Sequence, residues 1–211
     1  MTPLTRQGEL SSHVQLRFIS PVRFTALEIS PTFAASREEL ARLYEQMGRW
    51  QDSIDELEAL AALEPARPER LVSVGLAYAR IGRRDTAVLT LGRAAERHPD
   101  ATVVYTALGR IWLTSAEGQK DPVALGKAIE ALQPAAAQAD AVSETRALYG
   151  RALALSGNMV AAERMLLRAV AMVPVDPSAY RYLAEVAGQL GHATIAKDAA
   201  AKYALLASSA L

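Results

Sequence analysis

Histidine is the side chain that most often ligates metal ions or transfers protons near neutral pH, and the chain has three of them among its 211 residues. His13, His98 and His192 are far apart in the sequence, and none has a second histidine or a carboxylate at the spacing of a metal-binding motif. His98 precedes Pro99, where a helix is expected to end and a cation interacts favourably with the helix dipole. The histidines therefore indicate structural roles, and we expect no metal site.

Motifs for phosphate binding and nucleophilic catalysis are missing from the sequence. Gly126–Lys127 lacks both the upstream glycine and the following Ser or Thr of a phosphate-binding loop. Ser156–Gly157 is not part of a G-x-S-x-G motif and is typical of a turn between helices. The chain has no cysteine, which excludes disulfides, iron–sulfur clusters and thiol catalysis. We expect neither enzymatic activity nor a cofactor.

Composition and charge favour a helical protein without a strongly charged surface. Hydrophobic residues make up 51% of the chain and aromatic residues 6%, and abundant alanine and leucine favour helices. The 23 basic residues balance the 23 acidic ones, so nothing indicates binding to nucleic acid or to an anionic membrane. The N-terminus lacks the apolar segment of a secretory signal, and no run of residues is long and apolar enough to span a membrane. We therefore expect an all-α, soluble, cytoplasmic protein.

A period of 34 residues runs through the sequence. It separates residues of the same type throughout the chain, in the pairs Gly48 and Gly82, Pro65 and Pro99, Tyr44 and Tyr78, Leu57 and Leu91, Gly75 and Gly109, and Gly157 and Gly191. The interval from Gly109 to Gly150 is instead 41 residues. We assign the seven extra residues to Ser115–Asp121, whose polar character and glycine predict a lengthened turn. Such a period is typical of stacked helical repeats.

Each unit divides into two helical halves. In the unit that begins at Pro68, the first half carries apolar or small residues on one helix face, and the second half follows Gly82 and ends before Pro99. Asp121–Pro122 and Asp176–Pro177 each predict a capping side chain before a proline at the first helical position. Two further caps are predicted, by Asp85 and by Ser36 with Glu39 in a capping box.

Glycines recur at one register of the unit. Gly75, Gly109 and Gly150 each fall inside a predicted first helix, where a glycine costs about 1 kcal/mol relative to alanine. A shared position in three units therefore needs a reason, and close packing against a second helix supplies one, because a larger side chain there would overpack the contact.

Taken together, these residues resemble the tetratricopeptide repeat. The unit Pro68–Ala101 carries the family's residue types at the expected positions, namely Leu71, Val74, Gly75, Tyr78, Ala87, Leu91, Ala94 and Pro99. The resemblance implies a right-handed α-solenoid of antiparallel helix pairs. It extends over residues 34–211 as five repeats, 34–67, 68–101, 102–142 with the insertion near 115–121, 143–176 and 177–210. Residues 1–33 form a degenerate segment in which Ala26–Pro31 matches the end of a partial repeat.

The resemblance also implies a function. First helices of this family line a concave groove that binds partner proteins, so we expect a non-catalytic protein–protein interaction scaffold. The positions that would face the groove hold five arginines with apolar and aromatic neighbours. The candidate binding residues are Arg42, Leu76, Arg80, Arg110, Leu113, Arg151, Arg181 and Tyr182. Guanidinium groups suit carboxylates, which indicates an acidic or C-terminal peptide segment as partner. The alternative is that these arginines are ordinary solvated side chains.

Other functions stay open at this point. The clamp of the chaperone-binding members is absent, because Glu38, Val72 and Thr106 occupy a position that it requires to be basic. RNA binding by the related 35-residue repeats is disfavoured by the period and the neutral charge. The last predicted helix, Ile195–Leu211, has few charges, so the chain either self-associates through it or is a piece of a longer protein.

Overall fold

The computed structural model describes residues 34–208, and this part of the chain forms ten α-helices and no strand. The helices are α1 (Ala34–Gln46), α2 (Trp50–Leu63), α3 (Pro68–Arg80), α4 (Arg84–Arg97), α5 (Thr102–Gln119), α6 (Pro122–Ala137), α7 (Ser143–Leu155), α8 (Met159–Val170), α9 (Pro177–Gln189) and α10 (Ala193–Ser208). The predicted fold class, an all-α solenoid of paired helices, is confirmed. The predictions for residues 1–33, including His13, and for the last three residues lie outside the described part.

Four of the helix pairs are joined by the same glycine turn. In each turn a glycine has a left-handed backbone, with φ between 70° and 86°. The residue after the glycine donates its backbone N–H to a carbonyl of the preceding helix at 2.8–2.9 Å, which is the Schellman arrangement that ends a helix. The four glycines are Gly48, Gly82, Gly157 and Gly191. Because only three residues join the paired helices, each pair must be antiparallel.

The chain divides into two compact units, and the division falls after Arg70, inside α3. In the described part of the first unit, α1 packs on α2 through the buried side chains of Leu40, Ala41, Ile54 and Leu60. Arg70 donates hydrogen bonds to Glu64 at 2.5 Å and to Glu38 at 3.0 Å. The second unit contains the rest of α3 and helices α4–α10.

A leucine of each second helix packs directly against a glycine of its first helix in three pairs of the second unit. Leu91, Leu132 and Leu166 are fully buried, and they face Gly75, Gly109 and Gly150 respectively. A Cβ at Gly75 would lie 2.7 Å from Cγ of Leu91, and one at Gly150 would lie 2.6 Å from Cγ of Leu166. The leucine therefore occupies the space that a side chain on the first helix would need, which explains the shared register of the glycines.

The prediction of a lengthened turn at residues 115–121 is wrong. Helix α5 has 18 residues, whereas the other first helices have 13, and it takes in Ser115–Gln119. Only Lys120 and Asp121 remain between α5 and α6. The segment is helical because one side of it is buried, with Ser115 and Ala116 each 7% exposed, while Glu117 and Gln119 are exposed to solvent. We call Ser115–Gln119 the α5 extension.

Two of the four predicted caps are confirmed. The Asp121 carboxylate accepts the N–H groups of Val123 at 2.8 Å and Ala124 at 3.2 Å, and Asp176 caps α9 in the same way. The other two are wrong. Asp85 lies within the first turn of α4, one residue past its first residue, and Ser36 lies inside α1, so neither side chain is at a capping position.

The glycine–leucine contact makes a prediction about stability. Gly150→Ala should lower the free energy of unfolding by about 1 kcal/mol or more, because overpacking against Leu166 and the Ala162 carbonyl outweighs the gain in helix propensity. Gly92→Ala is the matched control, since Gly92 lies inside α4 and no atom lies within 4 Å of the position that its added methyl group would occupy. That control should gain about 0.5–1 kcal/mol. Urea unfolding followed by circular dichroism would measure both, and a gain in both variants would contradict the packing account.

Candidate functional site

Three first helices lie side by side in the second unit. Helix α7 contacts both α5 and α9, so the outer sides of these three helices form a continuous surface. We call this surface the first-helix face. It carries Arg110 on α5, Arg151 on α7 and Arg181 on α9, which are three of the arginines predicted to line a binding surface.

Ion pairs cross the first-helix face from helix to helix. Arg151 donates to Glu117 of α5 and to Glu185 of α9, each at 2.6 Å. Arg110 forms an ion pair with Glu144 of α7. The arginine side chains therefore do not point freely into solvent, and two of the three are held in place by carboxylates of a neighbouring repeat.

Arg151 is the centre of this network, and its side chain is 22% exposed. Burial lowers the pKa of Arg151, but the hydrogen bond to Glu117 and the charges of Glu185 and Glu117 outweigh burial and raise the pKa above its ordinary value. The surrounding carboxylates therefore favour the charged form of the guanidinium. It neutralises only one of its two carboxylate partners, so the surface here carries both signs of charge.

Tyr182 and Leu113 support the face from beneath. Tyr182 is 7% exposed and Leu113 is 3% exposed, so these side chains belong to the core and offer little surface to a partner. The guanidinium of Arg181 lies 4.7 Å from the centre of the Tyr182 ring, and that of Arg151 lies 5.2 Å from it. Stacking on an aromatic ring stabilises a cation, so Tyr182 positions both arginines.

The remaining predicted site residues belong to α1 and α3. Leu76 is partly buried and Arg80 is exposed, and both are on α3. Arg42 belongs to the first unit, where its side chain is 65% exposed and pairs with Glu39 at 2.6 Å. The structure thus brings together Arg110, Arg151 and Arg181, with Tyr182 beneath them.

The carboxylates of the face are functional candidates that the sequence prediction missed. Glu144 follows Arg110 by 34 residues, and Glu117, Arg151 and Glu185 are also separated by 34. A search for opposite charges one period apart would have found all of these pairs.

A buried carboxylate also lies beside a histidine in the second unit. Nδ1 of His192 is 2.6 Å from Oε1 of Glu163, which is 8% exposed, and the pair links the turn before α10 to α8. No group of three or more potential metal ligands occurs among residues 34–208. Within the same range, none of the helices has the length and apolar character that a membrane span requires.

Comparisons with known proteins agree with the repeat pattern. The family model of the tetratricopeptide repeat matches residues 36–71. The match covers one segment of the chain, about one repeat period in length. No curated protein is significantly similar to it in sequence.

Solved structures resemble the repeat protein at low sequence identity. The Cut9–Hcn1 hetero-tetramer of the APC/C has a TM-score of 0.72 at 15% identity, over 89% of this chain and 36% of that chain, so the present chain spans about a third of its length. A thermophilic TPR protein of Thermus thermophilus has a TM-score of 0.66 at 20% identity, over 81% of this chain and 89% of that chain. MamA of Desulfovibrio magneticus RS-1 has a TM-score of 0.61 at 19% identity, over 83% of this chain and 96% of that chain. These similarities show the fold alone, which is an all-α array of paired helices.

The ion-pair network makes a prediction about stability. Arg151→Gln should lower the free energy of unfolding by about 1 kcal/mol, because it leaves Glu117 and Glu185 close together without a cation between them. The control is Arg181→Gln, which removes an arginine of the same face that contacts Tyr182, and it should cost less than about 0.5 kcal/mol.

Urea unfolding at low and high salt would test this network. The loss from Arg151→Gln should be smaller at high salt, because salt screens the repulsion between the two carboxylates. Equal losses for the two variants at both salt concentrations would mean that the network does not stabilise the unit.

Proposed function

We propose that the repeat protein binds a segment of a partner protein along the first-helix face. The observation that supports this most is the row of charged groups that cross-repeat ion pairs hold in fixed positions. A surface whose side chains are already ordered loses less conformational entropy on binding. Helices whose charged side chains are held by such ion pairs are therefore well suited to form a binding surface.

The paired groups keep the capacity to bind a partner. The side chains of Arg110, Glu117 and Glu185 are 44%, 36% and 42% exposed. A guanidinium has five N–H donors and a carboxylate has two acceptor oxygens, so one ion pair does not use all of them. The unused donors and acceptors can bond to the backbone and polar side chains of an extended or helical segment.

An acidic partner segment is favoured at the α9 end of the face. Among the described residues, Arg181 has no carboxylate partner, and its guanidinium rests on Tyr182. A carboxylate that binds there gains a charge-assisted hydrogen bond without displacing an existing ion pair. At Arg110 and Arg151 an incoming carboxylate would instead compete with a glutamate of the chain. We therefore propose a partner with acidic residues at one end of its segment.

Charge reversal at Arg181 tests this function. Arg181→Glu should abolish capture of the partner from a lysate of the native host, measured by affinity purification and mass spectrometry. The variant should keep its melting temperature, because Arg181 is exposed and forms no ion pair among the described residues. The matched control is Arg93→Glu on α4, an exposed arginine of a second helix, which should leave capture unchanged. Equal recovery of the same proteins by both variants and the parent chain would contradict binding at this face.

Self-association is the second candidate function. In α10 only Ala199 is buried, and Leu205 is 71% exposed. However, α10 also carries Lys197, Asp198 and Lys202, so the helix provides some of the polar surface that the end of a solenoid needs. We therefore rank self-association below binding of a different protein. A molar mass that rises with protein concentration in light scattering would reverse this order.

A further inference from the structure

The turn between α5 and α6 differs from the four glycine turns. Lys120 has φ 51° and ψ 41°, and it is the one non-glycine residue with a positive φ in the described part of the chain. A residue with a Cβ is strained in this left-handed conformation, and glycine is not. A lysine at this position therefore costs stability that a glycine would not cost, and a role for its ammonium group would account for that cost.

A cleft of about 430 Å³ lies beside this turn. Its apolar lining comes from Ala116 of the α5 extension, Pro122 and Leu125 of α6, and Leu155 at the end of α7. Leu155 is 39% exposed. A volume of this size accommodates one or two side chains of a bound segment.

The α5 extension provides one wall of the cleft. The other first helices have no corresponding residues, because each of them is only 13 residues long. Contacts on both sides hold the extension in place. Arg84 donates to Oγ of Ser115 at 2.5 Å, and Glu117 accepts from Arg151 at 2.6 Å. The insertion of repeat three thus supplies one wall of the cleft, and contacts on both sides hold that wall in place.

Four charged residues surround the apolar lining, and three of them are already bonded. Asp121 caps α6, and Glu117 and Arg151 bond to each other. Lys120 is exposed, and its ammonium has no partner among residues 34–208. The cleft therefore presents one available positive charge next to an apolar surface.

We propose that this cleft binds a partner segment in which an apolar side chain is adjacent to a carboxylate. The apolar side chain fills the space between Leu125 and Leu155, and the carboxylate pairs with Lys120. The inference rests on the proposed function, because Arg151 belongs both to the cleft and to the first-helix face. The cleft would bind one anchoring position of the partner segment. Lys120 lines the cleft, so its side chain is within reach of this carboxylate.

A random-peptide phage library selected on the immobilised full chain tests this inference without knowledge of the natural partner. Enriched sequences should carry a large apolar residue next to Asp or Glu. A synthetic peptide with the enriched sequence should then be measured by fluorescence anisotropy. Leu155→Lys should weaken its binding by roughly tenfold or more, because a charged side chain fills the cleft. Val160→Lys, an equivalent change at an exposed site of α8, should leave binding unchanged.

The Lys120→Gly variant distinguishes an effect on peptide binding from an effect on folding stability. The variant should keep or raise the melting temperature, because glycine relieves the strained conformation, and it should bind the peptide several-fold more weakly through loss of the ion pair. Lys120→Arg retains the charge and should restore most of the affinity. A lower melting temperature for Lys120→Gly together with unchanged peptide binding would assign Lys120 a structural role and overturn the inference.

The outcomes also distinguish this inference from the proposed function. Enriched peptides that bind the parent chain and Leu155→Lys equally, but fail to bind Arg181→Glu, would overturn the cleft while supporting the first-helix face. Enriched peptides without an acidic residue, or a library without any enriched sequence, would overturn the cleft as well. In that case the host-lysate capture with Arg181→Glu still decides whether the face binds a partner.

Discussion

Close approach of two helices at a glycine is the constraint on which the second unit depends. Where Gly75 meets Leu91 and Gly150 meets Leu166, a single methyl group would overlap with the leucine. In these pairs the helices can therefore approach closely only at this register, which sets the position of the first helix against its second helix. Contacts between neighbouring pairs, of α6 with α7 and of α8 with α9, then set the relative positions of the first helices and the distances between charged groups on neighbouring repeats. The ion pairs that Arg151 forms across the repeats are thus a consequence of how the pairs pack.

The period made most of this architecture predictable from the sequence. Equal spacing of Gly48 and Gly82 reflects a backbone requirement, because each of these residues has a left-handed conformation that favours glycine. The caps at Asp121 and Asp176 were predictable for a similar reason. At a helix start, Asp accepts hydrogen bonds from unpaired backbone N–H groups, and Pro at the first helical position has no N–H to leave unpaired. A feature that requires one residue type in one backbone conformation can therefore be recognised from the sequence alone.

The missed features depend on tertiary contacts. Ser115–Gln119 contains a glycine and polar residues and was therefore predicted as a turn, but burial of one side stabilises it as a helix. Leu113 and Tyr182 were placed on the binding surface, although both are buried, because each residue rotates the side-chain direction by about 100° and an error of one position changes the face. The conformation of Lys120 was not predictable either, because lysine rarely adopts it.

Binding through the first-helix face is the central claim, and hydrogen–deuterium exchange with the captured partner tests it most directly. In the bound chain, the backbone amides at the ends of α5 and α7 near the cleft and along the exposed side of α9 should exchange more slowly than in the free chain. Helices α4 and α8 should exchange at the same rate in both states, because their exposed sides belong to second helices. Protection confined to α4, α6 and α8 would contradict the account and would place the partner on the opposite side of the repeats.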